Sequence, residues 1–271
     1  MTKILCPTDF TDTGNNGVAY AAKFCQATGS SLKLLHVQSL FALSPIEVVG
    51  AKSDSVEEIR IRLEQQRQEV ERVFRISCEA ELHATAKLLS SVIEKTAIGH
   101  DLIIMGTAGK RDLFSFLAGS NTYQAIRNTN IPVLFVPNNY VYSAIEKIVY
   151  AYNYVGEVKL PMLQLSLWVK MLRASLDVLD VVDEAVSKDL EEALRDMQEV
   201  IQLQNPETPI QFSSVRSGHK FGSIHNHMVR TNADLLVLCT KPRGMLGSIF
   251  HKSVIKSINQ VATYPVLVVH E

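Results

Sequence analysis

The chain has 271 residues, 46% of them hydrophobic and 20% charged, with a formal net charge of -1 at neutral pH. That length allows two domains of ordinary globular composition. The near-neutral balance gives no electrostatic basis for binding nucleic acid or an anionic membrane, and no apolar run reaches membrane-spanning length. Lys3 leads straight into a strand pattern without the apolar stretch of a secretory signal, so a cytoplasmic location is expected. Cys6, Cys25, Cys78 and Cys239 are scattered and form no C-x-x-C, which suits reduced core thiols.

In chain order, residues 3–7 (KILCP) read as a strand that ends in Pro7-Thr8-Asp9. A helical pattern from about Asp12 to Thr28 stops at Gly29. A strand over 31–37 carries Leu34-Leu35-His36-Val37 and precedes a long loop, Gln38 to Asp54. From Ser55 to about Ile76, Val56, Ile59, Leu63, Val70, Val73 and Phe74 fall on one stripe, the mark of a helix packed on a sheet. Residues 81–86 predict a third strand, 88–98 a third helix and Asp101 to Met105 a fourth, buried strand. A helix from Ser120 to Arg127 and a strand from Val133 to Val136 complete the unit. Such alternation predicts an α/β fold, a doubly wound, Rossmann-like parallel sheet with helices on both faces. Ligands of these sheets sit beyond the carboxyl ends of the strands, where Asp9, Val37 and Gly106 converge in this assignment.

Between the fourth strand and the next helix, MGTAGKRDLFSFLAGSNT runs from Met105 to Thr122. Gly106, Gly109 and Gly119 are spaced G-x2-G-x9-G and followed by Ser120, a good N-cap. Glycines let the backbone approach a ligand closely, and free amides at a helix start suit phosphate oxygens. The plainer reading is a connection that only turns the chain. No G-K-[ST] follows the glycines, so this is not a Walker A loop, nor is it a G-x-G-x-x-G fingerprint.

The chain also repeats itself. Lys3-Ile4-Leu5 matches Lys147-Ile148-Val149, and Ser31-Leu32 through His36-Val37 matches Ser175-Leu176 through Asp180-Val181, both at an offset of 144. Asp101-Leu102 matches Asp234-Leu235, Ser120 matches Ser253, and Pro132-Val133-Leu134 matches Pro265-Val266-Leu267, all at an offset of 133. Blocks in the same order imply a tandem duplication: a first domain over 1–139 and a second over 144–271, joined through Pro137 to Ser143.

KILCPTDF, the LLHV strand, DLIIMG and the G-x2-G-x9-GS loop, in this order, resemble the universal stress protein family and its ATP-binding branch, over residues 2 to 137. The resemblance implies two tandem universal stress protein domains acting as a regulatory module in the stress response, with ATP, or AMP or ADP, as ligand; Mg2+ beside the phosphates is left open. It assigns Asp9 to the adenine amino group and Pro7, Val37 and Met105 to a slot for the ring, with the Thr8 and Val37 backbones completing base recognition. Amides around Gly106, Gly109, Gly119 and Ser120 would hold the ribose and phosphates, helped by the hydroxyls of Ser120 and Thr122 and by Lys110 and Arg111. Asn121 departs mildly from the family pattern, exposed loop cations are often merely solvated, and an aspartate such as Asp9 also serves as a turn cap. A slow ATPase or another adenine-nucleotide enzyme, and an interaction scaffold without nucleotide, are the rival readings. No paired carboxylates or known adenylating signature stand near the loop.

In the second copy Asp9 becomes Asn153, Pro7-Thr8 becomes Ala151-Tyr152, and the three glycines become Cys239, Pro242 and Lys252. Proline lacks an amide and lysine fills the space a phosphate needs, so this copy is expected to hold no nucleotide. Leu160 to Leu172 is apolar nearly all round, which predicts a helix at an interface between copies or subunits. His219, His225 and His227 lack a compelling metal spacing and read as loop and helix-surface residues. The last strands of the copies, Val133 to Val136 and Val266 to Val269, are apolar and uncovered. They are expected to pair as an intramolecular pseudo-dimer, as the family's dimers do, and two tandem chains are expected to form a homodimer.

Overall fold

A computed structural model describes residues 2–39, 55–87, 89–107, 129–152, 159–182, 188–240 and 263–270. Strand β1 (Lys3–Pro7) leads into helix α1 (Asp12–Thr28), and β2 (Ser31–Ser39) follows. Next come α2 (Val56–Phe74), β3 (Cys78–Thr85), α3 (Leu89–Thr96), β4 (Leu102–Thr107) and β5 (Val133–Pro137). The second half contributes β6 (Lys147–Tyr152), α4 (Lys159–Leu172), β7 (Ser175–Val182), α5 (Lys188–Gln204), β8 (Ile210–Arg216), α6 (Lys220–Thr231), β9 (Leu235–Thr240) and β10 (Val266–His270).

Local chemistry sets the helix ends. The Thr11 side chain accepts from the Gly14 amide and starts α1, which ends at Gly29 in the left-handed region (φ 68°). Ser55 and Glu58 form a reciprocal capping box at the start of α2. That helix stops at Arg75 (φ 55°), one residue before the expected limit, and only Ile59, Leu63 and Val70 of its stripe are buried. Val56 and Val73 stay exposed, because the stripe is wider than the strip of sheet it covers. β3 begins at Cys78 rather than residue 81, since it pairs with β2 along its whole length, from Leu32↔Cys78 to Ser39↔Thr85.

The ten strands form one sheet in the order β3-β2-β1-β4-β5-β10-β9-β6-β7-β8. Within each half every pairing is parallel, as in β1 with β2 and β4 or β6 with β7 and β9. The halves meet where β5 and β10 run antiparallel, Leu134 opposite Leu267, which is the expected pseudo-dimer contact within one chain. One apolar core lies on each face and runs through both halves. The first gathers Ile4, Leu34 and Leu134 with Ile148, Val178 and Leu267 beneath α1, α2, α4 and α5. The second gathers Leu5, Leu35 and Met105 with Val149, Leu179 and Leu236 beneath α3 and α6. Both copies tie β4 or β9 to the first strand in one way: the Lys3 amide donates to Asp101 Oδ2 and the Lys147 amide to Asp234 Oδ2, at 2.8 and 2.9 Å. That bond explains why the aspartate recurs in both copies.

Residues 138–146 pack on α1 as they cross between halves. The Asn16 side-chain amide donates to the Pro137 carbonyl at 3.1 Å, and Tyr142 meets Tyr20 edge-on at 5.1 Å. Trp168 of α4 lies 6.4 Å from Phe24 of α1, so α4 sits at the junction of the halves. All four cysteines are free and buried, and burial pushes the thiols of Cys6, Cys25 and Cys78 up, which keeps them protonated and unreactive. No helix among the described residues is long and apolar enough to cross a membrane.

Candidate functional site

In the first half the chain winds outward from β1 to β2 and β3, then crosses to the other side of β1 to lay down β4 and β5. The crossover puts a topological switch point at the carboxyl ends of β1 and β4, the place where sheets of this kind bind ligands. Pro7, Thr8 and Asp9 form one lip and Met105, Gly106 and Thr107 the other.

Asp9 is exposed at this edge. Its Oδ1 accepts from the Thr11 amide (3.0 Å) and the Thr11 hydroxyl (2.6 Å), so one oxygen closes the turn into α1. Its Oδ2 makes no hydrogen bond among the described residues. The turn needs Phe10 at φ 62°, a region that costs a bulky side chain energy and recurs at functional sites. It also needs Gly14, where an added Cβ would stand 2.3 Å from Asp9 Oδ1.

Gly106 lies within β4, against the backbone of α1. A Cβ there would stand 2.1 Å from the Thr13 carbonyl oxygen, and a Cβ on Gly17 would stand 2.5 Å from the Gly106 amide nitrogen. The backbone of α1 therefore lies directly on the end of β4, and these glycines make that contact. Gly14 and Gly17 were legible only as helical residues, because contact with a distant strand has no local signature.

Pro7, Val37 and Met105 share the face of the sheet that carries α3. Met105 belongs to the core on that face, at 6% exposure, Val37 packs against its border, and Pro7 follows Leu5 at a two-residue step. Pro7 and Val37 are half-buried at this edge, beside the buried Met105. The Thr8 main chain, expected to read a base, is bonded at both ends. Its amide donates to the Leu35 carbonyl at 2.9 Å, and its carbonyl accepts from His36 Nδ1 at 2.8 Å. His36 was not foreseen as part of this edge. Its ring stacks on Phe10 at 4.6 Å, and the Arg62 guanidinium lies 4.6 Å over the other ring. A histidine at the end of an apolar strand was the available signal.

Gly109, Lys110, Arg111, Gly119, Ser120, Asn121 and Thr122, with the helix expected from Ser120, lie outside the described residues, as do Asn153, Pro242 and Lys252 of the second copy. At the matching edge of the second half Ala151, Val181 and Cys239 are buried, where Pro7, Val37 and Gly106 of the first half are half-buried; Thr8 and Tyr152 are buried alike. The place of His36 is taken by Asp180, whose Oδ2 is buried without a partner among the described residues. Burial pushes the Asp180 carboxyl up from the usual range, opposed by the charge of Lys220. The three histidines have separate surroundings: His219 precedes α6, His225 stacks on Tyr264, and His227 Nε2 meets Asp177 Oδ2 at 2.8 Å in the core.

This architecture defines a tandem α/β protein of the doubly wound class, with a switch point between β1 and β4 in its first half. Two stretches, residues 1–137 and 160–270, match the Universal stress protein family. The chain belongs to that family. A universal stress protein of Methanocaldococcus jannaschii is 29% identical over 154 residues, 49% of this chain and 93% of that protein. The solved structure of a universal stress protein from Archaeoglobus fulgidus superposes with a TM-score of 0.73 at 21% identity, over 99% of this chain and 98% of that one. A chain from Pseudomonas aeruginosa does so at 0.62 and 16%, over 100% and 93%. At these identities the structural likeness is one of fold, and it extends over both halves.

Proposed function

We propose that the first half binds one adenine nucleotide, ATP or its mono- or diphosphate, and that the second half binds none. The observation that carries this reading is a difference in burial at matching positions: Pro7, Val37 and Gly106 are half-buried in the first half, whereas Ala151, Val181 and Cys239 are buried in the second. The described residues fit the base. Pro7, Val37 and Met105 would offer apolar surface for a ring, and Asp9 Oδ2, which accepts no hydrogen bond among the described residues, would take one from an exocyclic amine. The phosphates would be held by amides of the loop that carries Gly109, Gly119 and Ser120, with Lys110, Asn121 and Thr122 beside them; any Mg2+ would sit with those phosphates.

In this reading domain 1 (1–139) is the sensor, domain 2 (144–271) the degenerate partner, and occupancy biases a regulatory surface of a cytoplasmic protein in the stress response. Two tandem chains would associate as a homodimer. Calorimetric titration with ATP tests the proposal. One equivalent per chain is expected, with loss of binding in Asp9→Ala; two equivalent sites, or no heat of binding, would overturn it.

A further inference from the structure

Asp9 is flanked by two residues that both rest on one side chain from the neighbouring strand. The imidazole of His36, near the end of β2, is buried at 7% exposure. A carbonyl oxygen can only accept, so the 2.8 Å contact between His36 Nδ1 and the Thr8 carbonyl puts the ring proton on Nδ1. That carbonyl and the Asp9 amide belong to one planar peptide unit, so holding the oxygen fixes the plane from which Asp9 departs. On the other side of Asp9, the Phe10 ring stacks on the same imidazole, with centroids 4.6 Å apart and planes 20° from parallel. The Arg62 guanidinium lies 4.6 Å over Phe10, so Phe10 is held between the two. Phe10 has φ 62°, and further bonds keep it there: its amide donates to the Thr8 hydroxyl at 3.4 Å, and its carbonyl accepts from the Asn15 side chain at 3.3 Å. Asn15 is itself held from α2, where the Gln66 amide donates to Asn15 Oδ1 at 2.9 Å.

We propose that His36 is a positioning residue for Asp9: it holds the turn so that Asp9 Oδ2 meets the exocyclic amine of a bound adenine. The inference rests on the nucleotide reading of the first half and adds to it the residue that sets base selectivity. Asp9 is exposed, and an exposed carboxylate samples several directions, so that ordering it on binding costs affinity. Here Oδ1 is committed to the Thr11 amide and hydroxyl. His36 fixes the backbone immediately before Asp9 through Thr8 and immediately after it through Phe10. The direction of Oδ2 is therefore set before a ligand arrives, which is what lets a single acceptor discriminate between bases. Within the duplication the donor and the aspartate are lost together, His36 to Asp180 and Asp9 to Asn153. An ionised carboxylate offers a main-chain carbonyl no proton, so the hold made by His36 has no counterpart in Asp180.

The probes are ATP and purine riboside triphosphate, which differs from ATP only in lacking the exocyclic amine. Both are titrated calorimetrically into the full chain and into its variants Asp9→Ala, His36→Phe and His36→Asn. Phenylalanine keeps a ring to stack on Phe10 but has no donor, whereas asparagine keeps a nitrogen donor at the place of Nδ1. Expected in the unaltered chain is a preference for ATP of about tenfold, the factor one such hydrogen bond is worth. The preference should vanish in Asp9→Ala and in His36→Phe and persist in His36→Asn. The double variant Asp9→Ala/His36→Phe should lose no more discrimination than either single one. A merely structural role would weaken both nucleotides alike and leave their ratio unchanged. NMR of the nitrogen-labelled, unaltered protein, which depends on no variant folding, should show the His36 proton on Nδ1. A proton on Nε2 alone, no preference in the unaltered chain, or a preference that survives in His36→Phe overturns the role of His36 and leaves the nucleotide reading standing. Failure of both probes to bind the unaltered chain overturns the nucleotide reading itself, and this proposal with it.

Discussion

Replacing Gly106 by alanine separates two reasons for a glycine at the end of β4. The added Cβ would stand 2.1 Å from the Thr13 carbonyl oxygen and 3.0 Å from its carbon, both main-chain atoms that no rotamer change can remove. Relief requires α1 to withdraw by about 1 Å, and the helix is held by Thr11 and Asp9 at its start and by the packed Val18, Ala21, Ala22 and Cys25 along its length. Overpacking of this kind costs about 1–3 kcal/mol. Each kcal/mol shifts Tm by about 2–4 °C in chains of some 150–250 residues, so the nucleotide-free variant should melt several degrees below the parent. The check is thermal and urea unfolding of Gly106→Ala and Gly17→Ala without nucleotide, followed by ATP titration. Both variants should lose stability, and Gly106→Ala should bind ATP more weakly because Asp9 moves with the helix. If Gly106→Ala melts within about 1 °C of the parent yet loses ATP, the glycine serves the ligand and not the helix, and the packing argument fails.

Asp180→Asn should stabilise the protein at neutral pH. Burial raises the folded-state pKa of this carboxyl, so the folded chain binds its proton more readily than the unfolded chain. Stability is then greatest when Asp180 is protonated and falls as pH rises through the folded pKa. Asparagine removes the ionisation, and a gain of about 1 kcal/mol is expected at pH ~7, shrinking in acid; urea unfolding across pH that shows no gain would refute it. Gly119→Lys, which copies Lys252 of the second half, should abolish the ATP-induced rise in Tm with little change without nucleotide. A ligand at about 1,000 times its Kd contributes roughly 4 kcal/mol, and retention of that increment would mean that the phosphates are held elsewhere.

Periodicity and punctuation in the sequence determined the elements and their class. Thr11, Gly29 and Ser55 act within one turn of themselves, so the helix ends they set were legible from neighbouring residues alone. The duplication determined that the second half repeats the strand scaffold of the first, down to Asp101 and Asp234 on the amides of Lys3 and Lys147. The antiparallel meeting of β5 and β10 was foreshadowed by two apolar strands with nothing else to cover them. What only the tertiary structure decided depends on contacts between residues far apart in the chain. Gly17 against Gly106, His36 on the Thr8 carbonyl, and Trp168 beside Phe24 each join segments whose spacing in sequence carries no period. A helical glycine looks the same in sequence whether it faces solvent or another backbone. Only the packing of α1 on β4 distinguishes them, because that packing brings a carbonyl to where a side chain would have been.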